Sequence, residues 1–244
     1  MEARAVARAT ARGKASVALA GSKVAPSGTA ALAALIKDSD TLTFLDLSSC
    51  ELGAGDIAQL TAAIKSNQQS ALCELRLACN DLGQEGAVSV ARSLFINQSI
   101  CSLDLRRVGM GASGAAYIAQ SLKSNCTLTN LDLTENRIEA SGAAAIADAL
   151  ETNTTLQVLK LAKNEIDAES TGVLAEMLKS NTSLQILVLA RNRVRESGAY
   201  YIAEALEHNS SLRTLDLSFN DIGPEGASIL GEALQENSTL QELW

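Results

Sequence analysis

Residues 109–114 of this 244-residue chain spell Gly-Met-Gly-Ala-Ser-Gly, which matches the GxGxxG spacing of dinucleotide-binding proteins. Glycines at this spacing let backbone N–H groups approach a pyrophosphate when the segment joins a strand to a helix. Asp132 follows 18 residues after Gly114, near the place where an acidic residue would bind the ribose. The same residues also fit a repeat, described below, which explains them better. We therefore predict no cofactor.

Residues suited to acid–base, nucleophilic or metal chemistry are scarce. His208 is the only histidine, so no Ser/His/Asp or Cys/His arrangement can be identified. The five cysteines contain no CxxC pair, which argues against a zinc site. They are Cys50, Cys73, Cys79, Cys101 and Cys126. We predict no catalytic residue, no bound metal and no enzymatic activity.

The net charge of –8 is distributed unevenly along the chain. Residues 1–23 are basic, whereas the remainder is acidic. An acidic body repels phosphate backbones, so we expect no nucleic-acid partner. The chain also lacks a run of about 18 apolar residues, the length a spanning helix needs, and we expect no membrane partner.

The first residues, MEARAVARATARG, are rich in Arg and Ala and poor in acidic residues. This composition is typical of an organelle-targeting peptide, but it also suits a helix that caps a repeat domain. We prefer the cap, and we assign residues 1–13 to a basic N-terminal segment or cap. The odd number of cysteines and the lack of a signal peptide predict an intracellular, cytoplasmic location. A cilium or an organelle is the alternative if residues 1–13 are a targeting remnant.

The motif Leu-x-x-Leu-x-Leu recurs along the chain every 28 residues. It begins at Leu42, Leu72, Ile100, Leu128, Leu156, Leu184 and Leu212. The first spacing alone is 30, because two residues are inserted around Gln68-Gln69. A degraded copy precedes these repeats, and a truncated copy begins at Leu240. Residues 14–244 are therefore predicted to form one repeat domain with one degraded, seven full and one truncated repeat.

Each repeat combines a strand pattern with a helix pattern. In the fourth full repeat, the alternating Leu131 and Leu133 predict a short strand with one buried side. Ile146 and Leu150 then predict a helix of about three turns that begins at Gly142. Successive strands joined by helices must be parallel. Because strands pack about 4.8 Å apart and helices about 10 Å apart, the stack must curve toward its strands. We predict an α/β solenoid, a horseshoe with parallel strands on the concave face and α-helices on the convex face.

Asparagine recurs at two positions of the repeat. After the strand, an inward side chain could bond backbone groups of its own and the next repeat. These residues are Asn80, Asn136, Asn164, Asn192 and Asn220, with Cys50 and Val108 replacing asparagine in two repeats. Before the next strand, asparagine forms Asn-x-Ser/Thr triplets at Asn97, Asn125, Asn153, Asn181, Asn209 and Asn237. For this second set we predict left-handed caps at the helix C-termini rather than glycan sites.

The pattern LxxLxLxxNxIxxxGAxxIAxALxxNxTL resembles the leucine-rich repeat of the ribonuclease-inhibitor-like class. The matching residues of one repeat are Leu131, Leu133, Asn136, Ile138, Gly142, Ile146, Leu150 and Asn153. The uniform 28-residue period is similar to that of the NOD-like receptors. The resemblance implies a scaffold that binds a protein, without naming that protein.

Side chains two, four, six and seven residues after the first Leu of each repeat are predicted to face the concave side. From these positions we select the partner-binding residues Arg76, Asp104, Arg106, Arg107, Asp132, Glu135, Lys160, Lys163, Arg191, Phe219 and Trp244. Opposite charges on neighbouring strands, such as those in Arg107–Glu135–Lys163, could neutralise one another. They could equally form a charged recognition surface, and the two interpretations are compatible.

We predict a non-catalytic protein–protein interaction scaffold that binds a protein through the concave face and the ends of the solenoid. One alternative is a structural subunit of a large assembly, such as a ciliary or organelle complex. Others are a GTPase regulator similar to the Ran GTPase-activating protein and a fragment of an innate-immune sensor. Since the sequence stops at Trp244 in mid-strand, we expect another chain or further sequence to cover that end.

Overall fold

The computed structural model describes residues 15–244, in which strands and helices alternate along the chain. The strands are β1 Ser16–Ala18, β2 Phe44–Asp46, β3 Glu74–Arg76, β4 Ser102–Asp104, β5 Asn130–Asp132, β6 Val158–Lys160, β7 Ile186–Val188, β8 Thr214–Asp216 and β9 Glu242–Leu243. The helices are α1 Pro26–Asp38, α2 Ala54–Ser66, α3 Gly83–Leu94, α4 Gly111–Leu122, α5 Glu139–Leu150, α6 Ala168–Ser180, α7 Arg195–His208 and α8 Gly223–Glu236. The N-terminal segment or cap predicted for residues 1–13 lies outside the described residues.

The strands form one parallel sheet in sequence order, from β1 to β9, and the sheet does not close on itself. The register advances by one repeat at each step, so that Leu103 pairs with Leu131 and Leu131 pairs with Leu159. The prediction of a leucine-rich-repeat solenoid with a concave sheet is confirmed. The helices contain 12 to 14 residues, and no helix within residues 15–244 combines the length and apolar character needed to cross a membrane.

The core lies between the sheet and the helices and runs the length of the solenoid. Leu131 and Leu133 of one repeat are fully buried, as are Ile146 and Leu150 of its helix. Burying each such side chain contributes about 1.5–3 kcal/mol. Each repeat therefore depends on its neighbours to cover its apolar surface.

The glycine at which we predicted the helix to begin lies one turn inside it. Helix α5 begins at Glu139, and Gly142 is its fourth residue. A Cβ atom on Gly142 would lie 2.5 Å from Cγ2 of Ile138 and 3.1 Å from Cβ of Ala115 in the preceding helix. The residue is therefore needed for close helix packing, and the predicted start was wrong by three residues.

The asparagines that follow the strands form a hydrogen-bonded series, here called the asparagine ladder (Asn80, Asn136, Asn164, Asn192 and Asn220). Oδ1 of Asn164 accepts bonds from the backbone N–H groups of Asn136 (2.8 Å) and Ile138 (3.4 Å). Its Nδ2 donates to the carbonyl groups of Leu133 (2.9 Å) and Ala162 (3.2 Å). The asparagines of the ladder thus bond their own repeat, as predicted, and the preceding repeat, where we had predicted the next one.

Valine interrupts the asparagine ladder at position 108. Asn80 accepts bonds from Cys50 N and Leu52 N of the preceding repeat, both at 3.0 Å. Val108 offers no side-chain acceptor to the corresponding N–H groups of Asn80 and Leu82. The turn of residues 79–82 therefore lacks the side-chain bonds that the turn of residues 50–52 receives from Asn80 and the turn of residues 136–138 receives from Asn164.

The second set of asparagines does not adopt the predicted left-handed conformation. Asn181 has φ –73° and ψ 126°, and Asn209 has φ –79° and ψ 130°, both extended. Nδ2 of Asn125 instead donates to the carbonyl of Leu94, at the end of helix α3 of the preceding repeat, at 2.8 Å. The side chain of Asn97, in the repeat after the two-residue insertion, bonds only Ser99 and Ile100 of its own loop. From Asn125 onward, these asparagine side chains connect the loop after one helix to the end of the helix in the preceding repeat. The Asn97 side chain makes no such connection.

Candidate protein-binding surface

The predicted partner-binding residues all lie on the open side of the sheet, where solvent reaches them. Asp104 and Asp132 are half-buried, and the other nine are exposed. Arg106, which follows β4, and Lys160, in β6, have about half of their side-chain surface exposed. The sheet thus presents these groups from a continuous hydrogen-bonded backbone.

Residues seven positions after the first Leu of each repeat form a row with left-handed backbone conformation. They are Ser49, Cys79, Arg107, Glu135, Lys163, Arg191 and Phe219, and their φ angles lie between 51° and 61°. This conformation costs an L-residue about 1–2 kcal/mol. Bonds between repeats maintain it, since Arg107 N donates to Thr134 O at 2.9 Å and Arg191 N donates to Ser218 O at 2.8 Å. The side chains of this row, the left-handed row, therefore project from fixed points one repeat apart.

Ion pairs cross the centre of the concave surface. Arg106 bonds Asp104 at 2.8 Å and approaches Asp132 on the next strand at 3.6 Å. The hydrogen bonds that Arg106 donates to the Asp104 carboxylate raise the pKa of its guanidinium above its ordinary value. Lys160 approaches the same Asp132 from the other side, at 3.8 Å. Because these side chains are partly exposed, each pair stabilises the fold by less than about 1 kcal/mol.

The predicted Arg107–Glu135 pair does not form. Glu135 bonds Lys163 at 3.3 Å, and no carboxylate within the described residues lies within 4 Å of the Arg107 guanidinium. Arg76 bonds Glu74 at 2.6 Å and also lies 3.8 Å from Asp46 on the neighbouring strand. Arg107 is therefore an exposed cation with no ion-pair partner within the described residues.

The concave surface carries aromatic and aliphatic side chains near its C-terminal strands, β7 and β8. The Arg191 guanidinium stacks over the Phe219 ring, with 4.2 Å between its central carbon and the ring centroid. Phe219 is 71% exposed, although a phenyl ring of this size is normally buried. Ile186 and Val188, on the neighbouring strand β7, are half-buried. This area combines a cation with an accessible apolar surface.

Charges on the concave surface balance. Between β2 and β8, the positions two, four, six and seven residues after the first Leu hold six acidic and six basic residues. The acidic residues are Asp46, Glu74, Asp104, Asp132, Glu135 and Asp216, and the basic residues are Arg76, Arg106, Arg107, Lys160, Lys163 and Arg191. The net charge of the chain must reside elsewhere.

The glycine-rich segment at residues 109–114 uses its backbone groups within the fold. Gly111 N donates to Asn136 O at 3.0 Å, and Gly114 N donates to Met110 O at 3.2 Å. Both glycines therefore bond protein carbonyls, where a dinucleotide site would direct N–H groups at phosphate. Within residues 15–244 no group of three or more His, Cys, Asp or Glu side chains is arranged to hold a metal ion.

Two thiols, those of Cys73 and Cys101, contact each other, which we did not predict from the sequence. Cys73 and Cys101 each follow the first residue of neighbouring repeats, and Cys101 N donates to Cys73 O at 2.7 Å. The pKa of Cys101 is raised to about 11, mainly by hydrogen bonding with the Cys73 thiol and to a smaller extent by burial. The sequence feature that could have predicted this contact is the shared position of the two cysteines in the 28-residue repeat.

Comparisons with known proteins agree with this architecture. Six segments match the family model described as Leucine Rich repeat, and together they cover more than half of the chain. They are residues 39–57, 72–91, 124–147, 152–171, 180–203 and 208–231. A search of curated protein sequences finds no significant match.

Several solved structures are similar in fold. Actin-binding site 2 of leiomodin-1 is 26% identical with a TM-score of 0.50, over 56% of this chain and 80% of that one. The leucine-rich repeat-containing protein LegL7 from Legionella pneumophila is 20% identical with a TM-score of 0.55, over 93% and 81% of the two chains. The tropomodulin C-terminal domain from Caenorhabditis elegans is 16% identical with a TM-score of 0.49, over 74% and 92%. Taken with the repeat and its register, the family match shows that this chain belongs to the leucine-rich repeat proteins, of the ribonuclease-inhibitor-like type.

Proposed function

We propose that the chain is a non-catalytic scaffold whose residues 14–244 bind a partner protein on the concave surface. The observation that carries this proposal is the left-handed row, which presents Arg107, Arg191 and Phe219 to solvent from fixed backbone positions. A rigid surface loses little conformational freedom on binding, so more of the contact energy appears as affinity.

Arginine and aromatic side chains are the expected anchors of such an interface. Arg107 has no ion-pair partner in the described part of the chain, and Phe219 exposes most of its ring. The ion pairs of Arg76 and Arg106 lie on the same concave surface, between β2 and β5, and add charged groups that a partner could contact. The remaining proposed contacts are Asp104, Asp132, Glu135, Lys160, Lys163 and Trp244.

Actin is the first named partner to test, because the similar leiomodin-1 segment is described as an actin-binding site. A similar role for this chain would also fit the alternative of a structural subunit in a large assembly. The intracellular location and the absence of nucleic-acid and membrane partners remain predictions from the sequence.

The test is co-sedimentation with actin filaments, followed by affinity capture and quantitative mass spectrometry if actin does not bind. Arg107→Glu and Phe219→Ala should each weaken capture of the same partner at least about tenfold, as expected for anchor residues. Arg92→Glu makes the same charge change as Arg107→Glu at an exposed position of α3, and it should leave capture unchanged. Equal capture by all four proteins would refute a concave binding site.

A further inference from the structure

The negative charge of the chain is concentrated on the last four helices. Helices α5 to α8 contain ten carboxylates and only two cations, Lys179 and Arg195. The carboxylates are Glu139, Asp148, Glu169, Glu176, Glu196, Glu204, Glu207, Glu225, Glu232 and Glu236, and all are exposed. The convex face therefore differs sharply from the balanced concave surface.

Apolar side chains cross this acidic face in line. Seventeen residues after the first Leu, successive repeats place Val173 on α6, Tyr201 on α7 and Ile229 on α8. Val173 and Tyr201 are each 41% exposed, and the neighbouring Tyr200 is 55% exposed. These four residues are called the convex ridge.

The two tyrosines of the convex ridge have defined positions. Their rings meet edge to face, with centroids 6.2 Å apart. Tyr201 packs over Gly172 of α6, where an added Cβ would lie 3.0 Å from Cδ2 of the ring. Glycine at 172 thus admits the Tyr201 ring between α6 and α7, and the ridge continues across both helices.

A row of carboxylates runs beside the convex ridge. Glu176, Glu204 and Glu232 each lie three residues after a ridge position, which places them next to it on the same helix face. Lys179 bonds both Glu176 and Glu204 at 2.9 Å. No ion pair involves Glu232 within the described residues. The ridge is therefore bordered by acidic groups that only one lysine partly compensates.

We propose that the convex ridge binds a basic amphipathic helix of a partner protein. Its apolar side would pack on Tyr200, Tyr201 and Val173, and its Lys or Arg side chains would pair with the acidic row. The charge selects this occupant, because ten carboxylates repel acidic helices and phosphate. A helix repeats its face about every 10.5 Å over seven residues, close to the roughly 10 Å between packed solenoid helices. One heptad thus matches one repeat.

The probe is a fluorescein-labelled 21-residue peptide of Leu and Lys with Leu at heptad positions a and d. A second peptide, with Ser in place of Leu and the same Lys residues, measures binding by charge alone. Both are titrated with the full chain and followed by fluorescence anisotropy. The Leu/Lys peptide should bind at least about tenfold more tightly than the Ser/Lys peptide. Equal affinities would overturn the proposal.

The variant that removes the ridge is Tyr200→Ser/Tyr201→Ser. Tyr117→Ser is the matched control, since Tyr117 occupies the same repeat position on α4, is 50% exposed, and lies on a helix without charged residues. The double variant should lose at least about tenfold in affinity for the Leu/Lys peptide, and the control should lose none. Equal affinities for the double variant and Tyr117→Ser would overturn the proposal.

A charge variant tests the acidic row without touching the tyrosines. Glu232→Lys should weaken binding of the Leu/Lys peptide, whereas Glu85→Lys, an exposed position of α3, should not. Equal losses from both would show that only overall charge matters and would refute the specific site. Arg107→Glu should leave peptide binding unchanged, so this test can fail without affecting the proposed concave site.

Discussion

Replacing Asn164 with leucine tests whether the asparagine ladder holds neighbouring repeats together. Asn164 is fully buried, and the leucine side chain has the same number and branching of heavy atoms, so the change removes hydrogen bonds without leaving a large cavity. The N–H groups of Asn136 and Ile138 lose their acceptor, whereas Leu133 O keeps its bond from the Asn136 side chain at 2.9 Å. Each buried group left without a partner costs about 1–3 kcal/mol. Because the bond to Ile138 is long, we expect a total loss of about 2–4 kcal/mol.

The assay is urea unfolding followed by circular dichroism, supported by hydrogen exchange at Asn136 and Ile138. With a denaturant slope of about 2–3 kcal/mol per molar, the midpoint should fall by about 1 M. The two amides should also exchange faster than in the unaltered chain. Asn130→Leu is the control, because Asn130 is exposed on β5 and its side chain makes no hydrogen bond within the described residues. Similar midpoints for Asn164→Leu and Asn130→Leu would refute the role of the ladder.

Three further predictions follow from the described contacts. Val108→Asn should restore the missing ladder bonds and raise the free energy of unfolding by about 1 kcal/mol; an unchanged urea midpoint would contradict this. Cys101, with its pKa raised to about 11, should react with iodoacetamide more slowly at pH 8 than the exposed Cys79, because the thiolate is the nucleophile; equal labelling rates by mass spectrometry would contradict it. Asp167 caps α6, and hydrogen bonds from the side chain and then the backbone of Ser170 lower its pKa below the ordinary 3.8. Asp167→Ala should therefore cost about 1 kcal/mol at pH 7. This difference should vanish as the pH falls through the folded-state pKa, and a pH-independent difference would be inconsistent with it.

The strands and their register were predictable because apolar spacing determines which side of a strand is buried. Leu131 and Leu133 alternate, recur every 28 residues and are buried in the described sheet. A shift of one residue would expose both, so the pattern allows a single register. The concave side chains then follow from the position of the leucines.

The left-handed row could not be predicted from residue preferences. Positive φ favours Gly and Asn, whereas this row includes Arg107, Lys163 and Phe219. The asparagines for which we predicted that conformation, such as Asn181, are extended. Hydrogen bonds between repeats determine the backbone at both places, and these bonds depend on the stack rather than on any one residue.

The repeat pattern also could not predict which oppositely charged side chains form ion pairs. Glu135 lies between Arg107 and Lys163 along the left-handed row, and it bonds only the lysine. The repeat predicts which residues are neighbours, but side-chain rotamers decide which neighbour is chosen. The convex ridge was missed for a different reason: Tyr201 and Val173 align only when the helices are compared by repeat position.

The repeat of residues 72–99 has fewer side-chain connections on both sides. Val108 supplies no ladder bond to the turn of residues 79–82. The side chain of Asn97 bonds only within its own loop, whereas that of Asn125 donates to Leu94 O of the preceding repeat. A stack of modules pulled along its axis behaves like springs in series, so that extension concentrates at the softest link. Under tension this solenoid should yield first around residues 72–99, and the stiffer C-terminal modules should remain intact.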